Sequence, residues 1–172
     1  RIRPQPAVAP FTEFVMIRIL LLALLFAVPG LVHAQAGGGP EPGDAAPAFR
    51  LQDQKGNWRA LADRAGEWTV LYFYPKDFTP VCTTELGAVA ALKPEFDRRN
   101  TKVIGLSVDP VDSHRKWEGD IRDVTGHAVN FPMIGDPDRV VSTLYDMVHP
   151  QASDTMTVRS VFIIGPDNKV KL

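Results

Sequence analysis

Trp68-Thr69-Val70-Leu71-Tyr72-Phe73-Tyr74-Pro75-Lys76-Asp77-Phe78-Thr79-Pro80-Val81-Cys82-Thr83-Thr84-Glu85 holds a strand, a loop and the opening of a helix in one stretch. Residues 68–74 are a continuous hydrophobic run with Val, Tyr and Phe, and their length suits a buried central strand. The run ends at Pro75, which cannot donate to a sheet ladder. Thr79 reads as a helix N-cap. Pro80 fits the first helical position, where its missing N–H is not needed. Cys82 is then the third helical residue, and it is the only cysteine of the chain. Its sulfur lies where unpaired backbone N–H groups and the positive end of the helix dipole converge. A thiol so placed is expected to be partly thiolate at neutral pH, the reactive form. The alternative is a small buried apolar residue, the commoner role of a lone cysteine.

The rest of the chain repeats the alternation. Residues 48–53 alternate as a strand, Lys55-Gly56-Asn57 reads as a turn, and 58–61 as the returning strand of a hairpin. A helix is predicted over 80–99, with Leu86, Val89, Leu92 and Phe96 on one face. Residues 102–108 form the next buried strand. Asp109-Pro110 opens a second helix with Trp117, Ile121 and Val124 on one side. Residues 130–134 are a short strand, and Asp136-Pro137 opens a third helix presenting Val141, Leu144 and Val148. Residues 155–164 are a further strand, 165–168 a turn, and 169–172 start back. This order implies an α/β sheet of mixed direction in a single domain over 48–172.

Composition bounds the function. Hydrophobic content of 45% and charged content of 23% are ordinary for a globular protein. A net charge of −1 without a basic patch argues against nucleic acid as a partner. One cysteine rules out an internal disulfide and a thiolate zinc cluster. His33, His114, His127 and His149 are scattered without metal-ligand spacing, so neither a metal nor a bound cofactor is expected.

The N-terminal part reads separately. Residues 1–15 have no periodic pattern and are expected to be an upstream extension, with Met16 the natural start. Arg18 supplies a positive flank, 19–28 is an unbroken apolar run, and Pro29-Gly30 ends it. Val32-His33-Ala34 and Ala34-Gln35-Ala36 each satisfy the small-x-small cleavage rule, so 16–36 has the layout of a secretory signal peptide. The run is short for a membrane span, which needs about 20 apolar residues, and no cysteine directly follows it to carry a lipid. A periplasmic or secreted location is expected, with no membrane attachment after cleavage. The Gly-, Pro- and Ala-rich residues 37–47 read as a linker.

Pro75, Thr79 and Cys82 spell Pro-x-x-x-Thr-x-x-Cys, and this stretch resembles the active-site loop of peroxiredoxins. Residues 77–85 are most similar to the one-cysteine branch. The segments 107–117, 131–136 and 158–172 fall in family order, so the resemblance covers about 43–172. It implies a thioredoxin-like fold, a central mixed β-sheet flanked by helices. That fold normally adds a helix after the terminal hairpin, so the chain is expected to lack its C-terminal part. The implied activity is thiol-dependent reduction of hydrogen peroxide and organic hydroperoxides by way of a cysteine sulfenic acid. No second cysteine is present to resolve that acid, so an external thiol or thioredoxin-like reductant is implied. A homodimer is the family expectation.

The resemblance also implies roles. Cys82 is the nucleophile and Thr79 orients the peroxide. Arg159 is the cation facing the sulfur, Pro75 shields the pocket, and Glu85 partners an arginine. Read from the residues alone, Thr79 is a cap whose hydroxyl, one turn before the sulfur, can also meet the peroxide, Glu85 favours the helix dipole, and Arg159 sits on a solvent-facing strand edge. Two departures stand out. Tyr74 replaces the histidine that many one-cysteine members carry before the motif proline. Gly66-Glu67-Trp68-Thr69 has no serine where some relatives build a phospholipase site. A disulfide oxidoreductase would need Cys-x-x-Cys, and the chain reads Cys82-Thr83-Thr84-Glu85. A holdase chaperone or peroxide sensor on the same scaffold is the remaining alternative.

Overall fold

A computed structural model describes residues 38–149 and 156–172. The proposed extension 1–15 and signal peptide 16–36 lie outside the described residues. Two short strands, β1 (Arg50–Gln52) and β2 (Trp58–Ala60), form the expected antiparallel hairpin. Its turn places Gly56 at φ +78°, a conformation that costs glycine little. A 3₁₀ turn (Leu61–Arg64) leads to β3 (Trp68–Phe73). Then come α1 (Pro80–Ala91), α2 (Lys93–Arg98), β4 (Thr101–Ser107), α3 (Val111–Thr125), β5 (Met133–Gly135), α4 (Val140–Leu144) and β6 (Ser160–Ile164).

The main sheet has the order β5-β4-β3-β6. β3 is interior as expected, parallel to β4 and antiparallel to β6, and β4 is parallel to β5. Mixed direction therefore arises at β3. Side-chain alternation splits the core in two. Leu71 and Phe73 of β3 join Ile104, Leu106, Phe162, Ile164, Val141 and Tyr145 on one face. Tyr72 and Tyr74 join Cys82, Leu86, Ala90, Trp117, Ile121 and Met133 on the other. Helices α1 and α3 thus cover the face that carries the cysteine. They approach closely at Gly87, where an added Cβ would meet the Thr125 side chain at 2.4 Å.

Several local expectations are corrected. The helix predicted over 80–99 breaks at Leu92 (φ −82°, ψ 4°). Pro94 cannot donate to the Ala90 carbonyl and its ring would clash with it. Asn130 Nδ2 donates to that carbonyl instead, at 2.9 Å. The buried stripe of α1 is Cys82, Thr83, Leu86, Gly87 and Ala90, while Leu92 is 49% exposed. In α3 the inward residues are His114, Trp117 and Ile121, and Val124 faces solvent. Pro110, not Asp109, is its N-cap. Asp136 does serve its helix, accepting from the Val140 and Ser142 amides and the Ser142 hydroxyl. Leu144 is largely exposed. β6 starts at Ser160, so Arg159 precedes the strand rather than lying inside it.

Part of the stretch read as a linker is packed. The Gly43 and Ala46 amides donate to the Val170 and Asn168 carbonyls, and Ala45 bridges Lys169. The turn at 165–168 and the returning residues are as expected, with Val170 bridging Ile164.

Candidate active site

Antiparallel pairing builds the site. Because β6 runs against β3, its beginning lies beside the end of β3, where the loop to α1 starts. Tyr72 is opposite Val161, and Arg159 precedes Val161 by two residues. Arg159 therefore shares the face on which Tyr72 and α1 lie. Thr157 and Val158 hold it there. The buried Thr157 hydroxyl donates to the Tyr74 carbonyl, and the Val158 amide donates to the Met147 carbonyl at 2.9 Å.

Arg159 bridges two acceptors. Its Nη2 donates to Cys82 Sγ at 3.3 Å, and its Nε donates to Glu85 Oε2 at 2.8 Å. Cys82 is 1% exposed, while the Arg159 and Glu85 side chains stay part-exposed. The same Glu85 oxygen accepts from the Tyr72 hydroxyl at 2.6 Å. Burial and then the Glu85 carboxylate push the Tyr72 hydroxyl above its ordinary range, so it remains a donor. Glu85 thus receives two donors on one oxygen and fixes the plane of the guanidinium. The cysteine, the arginine and the glutamate singled out in sequence come together. Sequence reasoning missed Tyr72, although period-two alternation puts it on the α1 face with Tyr74.

Thr79 occupies the N-cap position in an extended conformation, with Pro80 first in the helix. The expected side-chain cap is not made, because the Thr79 hydroxyl donates to the Lys76 carbonyl at 3.1 Å. The loop turns back at Phe78, whose φ is +55°, and brings that carbonyl within reach. The first amides of α1 consequently keep no side-chain acceptor from Thr79, and helix geometry supplies none. The Thr79 carbonyl accepts from the Thr83 amide and hydroxyl, and Trp117 Nε1 donates to that hydroxyl at 3.1 Å. Pro75 is half-buried at the bend after β3. The site therefore offers a buried sulfur, a fixed cation and helix N–H groups without an acceptor among the described residues, all on one side of the sheet's end.

Tyr74, the residue before the motif proline, is fully buried. Its hydroxyl lies 3.2 Å from His114 Nδ1. Burial first, then the Asp77 charge, raises the Tyr74 hydroxyl well above its ordinary value. His114 is wholly buried, and His127 and His149 are exposed. Among the described residues no group of three or more His, Cys, Asp or Glu is placed to hold a metal ion. Among them no helix is long and apolar enough to cross a membrane.

Residues 42–172 match the model of the AhpC/TSA family, and the chain belongs to that family. It is 46% identical over 129 residues to a 1-Cys peroxiredoxin of Dictyostelium discoideum, covering 75% of this chain and 54% of the relative. It is 44% identical over 143 residues to Peroxiredoxin-6 of Rattus norvegicus, covering 78% and 64%. Its fold matches a yeast mitochondrial 1-Cys peroxiredoxin with a TM-score of 0.71 and 46% identity, covering 77% of this chain and 65% of that one. It also matches a mutant of PrxQ from Xylella fastidiosa, with a TM-score of 0.68 and 30% identity, covering 79% and 86%. The thioredoxin-like peroxiredoxin fold expected from sequence is thereby established. The chain spans about half to two thirds of the length of the first three of these relatives.

Proposed function

We propose that the chain is a thiol-dependent peroxidase acting on hydrogen peroxide and organic hydroperoxides. The observation that carries this is the Arg159 guanidinium, bonded at once to Cys82 Sγ and Glu85. In the proposed step the Cys82 thiolate attacks one peroxide oxygen in line. The S–O bond forms as the O–O bond breaks, and the sulfur is oxidised to sulfenic acid. The other oxygen leaves as hydroxide or alkoxide and takes up a proton. Arg159 and the free amides of the first turn of α1 donate to the charge that develops. Thr79 Oγ1, one turn before the sulfur, accepts from the peroxide O–H once released from Lys76. Pro75 limits water access. Two equivalents of an external thiol then return the sulfenic acid to thiol, yielding water and a disulfide.

The yeast mitochondrial 1-Cys peroxiredoxin resolves its thiol via glutathione/thioredoxin systems. A reductant of this chemical class is proposed here, with no bound cofactor and with a homodimer as the working unit. The layout of residues 16–36 supports export to the periplasm or exterior, which N-terminal sequencing of the exported chain would check.

The decisive comparison is peroxide consumption with excess thiol by wild type and Cys82→Ser. Loss of turnover in the variant is expected, and unchanged turnover overturns the reading. Suppression of client aggregation by Cys82→Ser with no peroxidase activity in wild type would favour the holdase alternative.

A further inference from the structure

A second cluster lies beneath the loop and takes no part in the proposed chemistry. Asp77 belongs to the loop between β3 and α1, His114 to α3 and Ile134 to β5. The Asp77 side chain is 1% exposed and that of His114 is 0% exposed. His114 Nδ1 lies 2.7 Å from Asp77 Oδ2, and His114 Nε2 lies 3.2 Å from the Ile134 carbonyl. A carbonyl can only accept, so Nε2 carries a proton. A 2.7 Å contact between Nδ1 and a carboxylate oxygen needs a second proton between them. The Tyr74 hydroxyl approaches the same Nδ1. The Asp77 amide donates to Asp109 Oδ2 at 2.9 Å, and the Ser107 hydroxyl donates to that oxygen at 3.0 Å. The next residue, Phe78, is held at φ +55°, which a bulky residue adopts only when its surroundings impose it.

We propose that Asp77 and His114 form a buried latch that holds residues 75–79 closed and thereby positions Thr79 and Cys82 against Arg159. They are positioning residues, since neither contacts the sulfur. The latch rests on the peroxidase reading and adds a consequence to it. Cys82 is 1% exposed, which leaves a bulky thiol reductant no direct access to the sulfur in this conformation. Reduction needs the loop to open. Asp77 Oδ1 is buried without a hydrogen-bond partner. Closure therefore leaves one carboxylate oxygen unsatisfied, and opening to water satisfies it. The latch is built to close the site while remaining releasable. Loosening it should slow the peroxide step and speed access to the sulfur.

The test uses the full chain as wild type, Asp77→Ala and Asp77→Asn. Cys82 oxidation by one equivalent of hydrogen peroxide is followed by rapid quench. Alkylation of reduced Cys82 by a bulky maleimide is measured in parallel. Asp77→Ala should slow oxidation and speed alkylation by about tenfold or more, the equivalent of one charge-assisted hydrogen bond. Asp77→Asn, which can still bond the imidazole, should recover most of both. Rates within about twofold of wild type overturn the latch, as do two rates that fall together. Should Asp77→Ala fail to fold, ¹⁵N-histidine NMR of the wild-type chain decides. His114 ring N–H signals protected from solvent exchange support the latch, and exchange as fast as a surface histidine's overturns it. Wild-type oxidation no faster than free cysteine's fails the peroxidase reading alone, because alkylation and NMR still decide the latch.

Discussion

Replacing Arg159 with glutamine removes the cation that, among the described residues, bonds the sulfur, while keeping a polar side chain of related shape. The magnitude follows from the 3.3 Å separation of Nη2 and Sγ. Unit charges at that distance attract by about 5 kcal/mol at an effective dielectric of 20 and by about 1.3 kcal/mol in water. The Arg159 side chain is 40% exposed, so solvent screens part of this, and about 2–3 kcal/mol is a fair working value. If that interaction is present in the transition state and lost in the variant, oxidation of Cys82 slows by about 30- to 160-fold at neutral pH. Rapid mixing with hydrogen peroxide, quenching and mass analysis of Cys82 would measure the second-order rate constant. Arg159→Lys should recover only part of the loss, because one ammonium cannot reproduce the fork that reaches Cys82 and Glu85 together. A loss below about threefold in Arg159→Gln would refute the electrostatic reasoning.

Tyr72→Phe removes one of the two donors on Glu85 Oε2 and should slow oxidation by about three- to tenfold through looser aim of Arg159, with rapid-quench rates as the check. Leu86→Ala, at a fully buried position of α1, should cost about 2–5 kcal/mol in urea unfolding. Leu92→Ala, at the exposed break, should cost under about 0.5 kcal/mol. Equal costs would contradict the packing of that helix. Burial pushes the Asp53 carboxyl up, but Arg59 and the Asn57 and Lys55 amides outweigh it and hold the group below its ordinary value. Its folded pKa is the lower one, so its stabilisation is present above the unfolded value near pH 4 and is lost as the pH falls through the folded value. Asp53→Asn should therefore flatten the acid limb of stability against pH, which denaturant melts between about pH 2 and 5 would reveal.

The strand, the proline stop, the placement of Cys82 three residues into a helix and the alternation of strands and helices are all readable from residue order. They depend on contacts between near neighbours, where one proline or one hydrophobic period decides the outcome. The apolar spacing continues past Leu92 and assigns it to the buried face. Pro94 ends that spacing, and a broken hydrogen bond to Ala90 outweighs the pattern. Thr79 has the chemistry of a cap, but the left-handed turn at Phe78 gives its hydroxyl a nearer acceptor. Val124 and Leu144 fit helical stripes but lie at their outer edges, where they stay 66% and 39% exposed.

Arg159 marks the boundary most plainly. Read alone it is a charged residue at a strand edge, and its family role comes only from resemblance. The antiparallel register of β3 with β6 brings it from 77 residues away to the sulfur. Tyr72, Thr157 and the Asp77–His114 pair likewise gain their meaning from partners far along the chain. By itself the sequence determined the local elements, the position of Cys82 at a helix start and the class of fold. Only the tertiary structure decided which cation meets that sulfur, what aims it and what holds the loop. Those choices are set by strand register and by the need of buried polar groups for partners, and neither is encoded in any single stretch of residues.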